Sequence, residues 1–88
     1  MKRDYYRQNA TYPARQDRFH MHTLRVRSGR IKVTMWEIAG DSTGGPLDKQ
    51  TAEFADIMDV LSLFDEIHKD LTAEGWEWDI PKRFRRTP

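Results

Sequence analysis

Apolar and polar positions change rhythm several times along the chain, and each change predicts an element. Residues 1–17 mix Arg, Gln, Asn and Tyr with Pro13 and hold no period, which reads as a flexible arm that Tyr5, Tyr6 and Tyr12 could pack down or use against a partner. From Phe19 to Ile38 the pattern alternates as in a strand, with Ser28-Gly29 supplying a turn. A two-residue loop there pairs Arg27 with Arg30, Val26 with Ile31, Leu24 with Val33 and His22 with Met35. One face then holds Val26, Leu24, Ile31, Val33 and Met35, continued by His20, His22 and Glu37. The other carries Arg25, Arg27, Arg30 and Lys32 near the turn, Thr23 and Thr34 next, and Phe19, Met21, Trp36 and Ile38 at the far end.

The stretch GDSTGGP from Gly40 to Pro46 reads as a loop. Beyond it Phe54, Ile57, Met58, Leu61, Phe64, Ile67, His68 and Leu71 recur at three- and four-residue spacing, predicting an amphipathic helix capped by Asp48 or Thr51. Gly75 suits the left-handed position after its end, with Trp76 folding back on Leu71 in a Schellman ending. Trp76, Trp78 and Ile80 alternate before Pro81, as a third short strand or an extended tail would. The expected fold is α+β, an antiparallel hairpin, with or without a third short C-terminal strand, packed on one long amphipathic helix between flexible N- and C-terminal arms. Its parts are an arm (1–17), one ββα(β) domain (18–80) and a basic tail (81–88).

That helix is apolar over too wide an arc. At 100° per residue its two apolar seams together span roughly 220°, where covering one sheet needs little more than about 100°. The C-terminal tryptophans, a second copy in a homodimer, or a target could cover the excess. A hairpin plus one helix also needs support from another strand or an oligomer.

Charge sharpens the picture. The chain has 88 residues and a net charge of +1, but the charges come in blocks. Residues 1–40 hold nine Lys/Arg against three acids, residues 41–79 two Lys against eleven acids, and residues 80–88 four Lys/Arg and no acid. Such blocks point to charged partners, or to mutual neutralisation within the fold. On the helix Asp59, Glu66 and Asp70 lie close together, flanked by Asp56 and Glu74, a strip suited to a basic surface such as a groove that normally holds nucleic acid. Arg25, Arg27, Arg30 and Lys32, with Arg83, Arg85 and Arg86 of the tail, form the opposite candidate, a basic ribbon for a protein or nucleic acid. Phe19, Trp36, Trp76 and Trp78 supply a candidate aromatic patch.

Catalytic chemistry is not evident. There is no Cys, hence no thiolate nucleophile or thiolate metal site, and no motif surrounds Ser28, Ser42 or Ser62. His20 and His22 share a strand face, and His68 or Glu37 could add a third metal ligand. Their expected neighbours Val26 and Leu24 make a partly buried rim the simpler role, so neither metal nor cofactor is expected. No apolar run approaches the ~18 residues of a membrane span. The start of the chain lacks the apolar stretch of a secretory signal, so a cytoplasmic protein is expected.

The expected function is a small non-enzymatic protein-binding module acting on nucleic-acid-handling machinery. Small Cys-free proteins of this sort are common products of phages and mobile elements, anti-CRISPR inhibitors among them, which sets a class-level expectation only. The alternatives are direct nucleic-acid binding through the basic hairpin and tail, and an assembly subunit whose apolar surplus is a homo-oligomer interface.

Overall fold

In the computed structural model, which describes residues 1–41 and 49–80, the chain folds as an antiparallel sheet with one helix on it. The strands are β1 (Lys2–Gln8), β2 (Gln16–Arg25), β3 (Ile31–Ile38), β4 (Gln50–Phe54) and β5 (Glu77–Trp78), in the order β4-β3-β2-β1-β5; helix α1 spans Ile57–Ala73. The α+β architecture is as expected, and of the strand or extended tail that residues 76–80 allowed, a two-residue strand forms. The support that a bare hairpin lacked comes from β1 and β4.

Lys2–Gln8, expected in a flexible arm, forms β1, a strand paired on both sides. Its Tyr5 is fully buried, while Arg3 and Arg7 on the same face lay their guanidinium groups over Trp78 (5.0 Å) and Trp76 (4.4 Å). Long cationic side chains thus cover aromatic surface as apolar ones would elsewhere.

The β2–β3 hairpin exists, but one residue out of the expected register. Val26 donates its N–H to the Arg30 carbonyl (3.0 Å), and Gly29 donates to the Val26 carbonyl (2.9 Å) at φ +82°. This is a three-residue loop, a tight turn ending in a left-handed glycine, and its odd length shifts every pair. Arg25 faces Ile31, Thr23 faces Val33 and Met21 faces Met35, while Leu24 faces Lys32, His22 faces Thr34 and His20 faces Trp36. The slip exchanges the faces of β2. Met21 is fully buried and Leu24, expected in the core, is 66% exposed.

Residues 50–54, expected to open the helix, form β4, with Phe54 opposite Ile31. Asp48 lies outside the described residues and Thr51 sits in that strand, so neither caps α1. The cap is Asp56, whose Oδ1 accepts the Met58 N–H at 2.9 Å. At the other end Trp76 donates to the Leu71 carbonyl (3.0 Å) and Gly75, at φ +90°, to that of Thr72 (3.2 Å). These are the two bonds of the expected Schellman ending.

The core lies between the helix and one sheet face. Tyr5, Met21, Ile31 and Val33 meet Val60, Phe64 and Leu71, and Trp76 closes the side. Losing Phe54 to the sheet and gaining a sheet five strands wide narrows the uncovered part of α1 to its first turn, where Ile57 is 44% and Met58 62% exposed. No helix among the described residues is long and apolar enough to cross a membrane.

Candidate functional site

Strand alternation sends Asp4, His20, His22, Leu24, Thr34 and Trp36 to the sheet face opposite the helix. There β1 and β2 bring three donors together. His20 Nδ1 lies 2.7 Å from Asp4 Oδ1, and His22 Nε2 approaches the same oxygen at 3.7 Å. The Lys2 ammonium sits 3.7 Å from the other carboxylate oxygen. The Trp36 indole packs against both imidazoles, at 5.0 Å from His20 and 4.7 Å from His22, and Lys49 lies over the indole at 5.3 Å. His22 Nε2 is shielded from solvent and has no hydrogen-bond partner among the described residues. Burial pushes the Asp4 carboxyl up, but the hydrogen bond and charge of His20, with Lys2 and His22, outweigh it and hold Asp4 below its ordinary value. A carboxylate and two imidazoles so placed can share a proton or ligate a cation.

Neither residue expected to complete this histidine pair does so. Glu37 is in register with Phe19 on the helix side, and His68 on α1 places Nδ1 2.8 Å from the buried Tyr5 hydroxyl. The third member is Asp4, from the segment read as an arm. Its signal was the alternation Arg3-Tyr5-Arg7 against Asp4-Tyr6, legible only once arginines count as able to cover a core.

The other predicted residues separate. Asp59, Glu66 and Asp70 are exposed on α1, and none has an ion-pair partner among the described residues; Asp56, also exposed, is engaged as the cap. The basic hairpin residues gather at the loop end but not on one face. Arg25 is on the helix side with Ile31, Lys32 is on the open face with Leu24, and Arg27 lies in the loop. Arg30 reaches Glu53, at 3.5 Å from its carboxylate. Arg83, Arg85 and Arg86 lie outside the described residues, as does most of the glycine-rich loop.

No single aromatic patch forms. Phe19 and Trp76 meet edge-on at 6.2 Å, with Trp76 in the core, and Trp78 stacks near His68 and Arg3 on the helix side. Of the four, Trp36 sits on the opposite face, beside His20 and His22, because the register shift moved it away from Phe19.

A second polar cluster, unforeseen, ties the β1–β2 connection to the end of β3. Buried Asp17 accepts from Asn9 Nδ2 (2.8 Å), from the Gly40 N–H (2.7 Å) and from Arg7 Nε (3.0 Å). Asn9 Oδ1 in turn accepts the N–H groups of Thr11 and Tyr12. Burial raises the Asp17 carboxyl, but these three donors and the Arg7 charge more than offset it, leaving it below its ordinary value. With both carboxylate oxygens engaged inward by three donors, this cluster holds structure rather than offering a site.

No family model matches the chain, no curated protein matches its sequence, and no solved structure matches its fold.

Proposed function

We propose that the chain is a protein-binding module whose acidic helix strip meets a basic surface on its partner. One contrast carries the reading. Asp4, Asp17, Glu53, Asp65 and Asp79 each have a Lys or Arg within 4.0 Å, whereas Asp59, Glu66 and Asp70, grouped on one helix with Asp56 and Glu74 at its ends, have none among the described residues, and neither do the scattered Glu37, Asp41 and Glu77. Glu66 and Asp70, four apart on one helix, repel each other in the free protein. A cationic partner relieves that repulsion and gains charge complementarity, chiefly as association rate and specificity. Exposed Ile57 and Met58 at the start of the same helix add the apolar contact such an interface needs. The expectation of a phage or mobile-element inhibitor acting on nucleic-acid-handling machinery agrees with this strip, since surfaces that bind phosphate are basic.

The hairpin is the weaker candidate. Its cations divide between the two sheet faces and Arg30 is engaged by Glu53, so no continuous phosphate-facing stripe results among the described residues.

The test uses tagged protein on beads with a cell extract, followed by binding of whatever purified partner is retained. The Asp59→Asn/Glu66→Gln/Asp70→Asn variant should fold normally and lose that partner, while Arg25→Ala/Arg27→Ala keeps it. Salt-sensitive binding of DNA or RNA oligonucleotides, lost on changing Arg25 and Arg27 but kept in the acid variant, would replace this reading with direct nucleic-acid binding.

A further inference from the structure

We propose that Asp4, His20 and His22 form a binding site for a late first-row divalent metal ion, zinc being the one it suits best, on the sheet face opposite the helix. The site is separate from the acidic helix, which lies on the other side of the sheet. One ligand atom from each residue lies within 4.8 Å of the others, and both imidazoles converge on Asp4 Oδ1 at 2.7 and 3.7 Å. Metal–ligand bonds of about 2.0–2.1 Å put tetrahedral donors about 3.3 Å apart. The pair at 2.7 Å must open by about half an ångström and the widest pair close by more, small rotations for side chains on adjacent strands.

A second observation points the same way. His22 Nε2 is shielded from solvent with no hydrogen-bond partner among the described residues, although it faces a carboxylate. A buried nitrogen left so costs free energy unless something fills its lone pair. A cation between the rings would satisfy His22 and also take the negative charge of Asp4. Trp36, packed on both imidazoles, restricts their ring planes and so lowers the ordering cost of coordination.

The donor set selects the metal. Two imidazoles with one carboxylate suit zinc, copper, nickel or ferrous iron, whereas all-oxygen sites suit calcium and magnesium. Three protein ligands leave the remaining position to water or to a donor from a partner.

Calorimetric titration of tag-free protein with zinc chloride tests the proposal, with a chromophoric chelator in competition. One zinc per chain is expected. His22→Ala and Asp4→Asn should each weaken binding by about 100-fold or more, beyond the effect of losing a merely supporting group. His68→Gln, across the sheet, should leave it unchanged. Circular dichroism checks that each variant folds, and the wild-type titration stands without them. Tetrahedral absorption bands with cobalt in place of zinc would support the same ligands. No zinc bound at 100-fold excess over protein, or undiminished binding in the His20→Ala/His22→Ala variant, overturns the site.

Discussion

Asp17→Ala should come close to unfolding the protein. The substitution removes the acceptor of three hydrogen bonds at one buried carboxylate, those from Asn9, the Gly40 N–H and Arg7. Bonds to a charged group each contribute about 1.5–3 kcal/mol net, and a buried donor left unpaired costs about 1–3 kcal/mol. Arg7 is 37% exposed and can turn to water, so its share is discounted to at most about 1 kcal/mol. Asn9 has no such escape, because its other side-chain atom is held by Thr11 and Tyr12. The loss comes to about 3–5 kcal/mol, the usual range for breaking a buried charged pair. A domain of this length has about 4–13 kcal/mol in all. Urea unfolding followed by tryptophan fluorescence reads the effect directly. With a slope of about 1–1.5 kcal/mol/M, the midpoint should fall by about 2–5 M. Asp17→Asn keeps one acceptor and should fall between wild type and Ala. A shift under about 1 M for Asp17→Ala, at unchanged slope, would show that the cluster contributes far less than its geometry implies.

Acid should act through Asp17 and Asp4. Asp4 and Asp17 both titrate lower when folded than the ordinary value of 3.8, so their contribution is present above that value and is lost as pH falls through their folded values. Acid-unfolding curves of Asp17→Asn should therefore flatten below about pH 4 relative to wild type. Gly75→Ala forces a Cβ into the left-handed conformation with nothing crowding it, so about 1–2 kcal/mol should go by chemical denaturation, without loss of helix by circular dichroism. Gly40→Ala has the opposite cause. Its new Cβ would lie 2.8 Å from the Gln16 carbonyl oxygen, so backbone must shift and the thermal midpoint should drop by several degrees. Tyr5→Phe removes only the hydroxyl bonded to His68 and should cost about 1 kcal/mol, while in wild type burial pushes Tyr5 ionisation above 10.0 in an absorbance titration.

What the sequence made legible was whatever rests on apolar spacing or on a single decisive residue. Val60, Phe64, Ile67 and Leu71 define the buried side of α1, and Gly75 with Trp76 ends it as expected. The errors have specific physical origins. Both Phe19-Met21 and Leu24-Val26 alternate with Ile31-Val33-Met35, so hydrophobicity alone admits two registers, and a single loop residue decides between them. Phe54 stands three residues before Ile57 and four before Met58, which mimics helical spacing across the break that Asp56 makes. β1 carries only two tyrosines among polar residues, so a search for apolar alternation passes over it. The histidine pair was visible, but its partner Asp4 needed both β1 and the right register to come alongside.

Setting β1 between β2 and β5 has a consequence for how the chain folds. Pairing Tyr5 with Trp78 closes a loop of more than seventy residues, whereas β1 and β2 meet across a short connection. A chain emerging from the ribosome has β1 to β4 available while the segment that seals Tyr5 is still being made. Until α1 arrives with Trp76 behind it, the apolar side of the young sheet stands open to other nascent chains. Helix α1 and the segment that carries Trp76 are thus the chain's own protection during synthesis, and Trp76 is the fluorophore whose burial should time that final step.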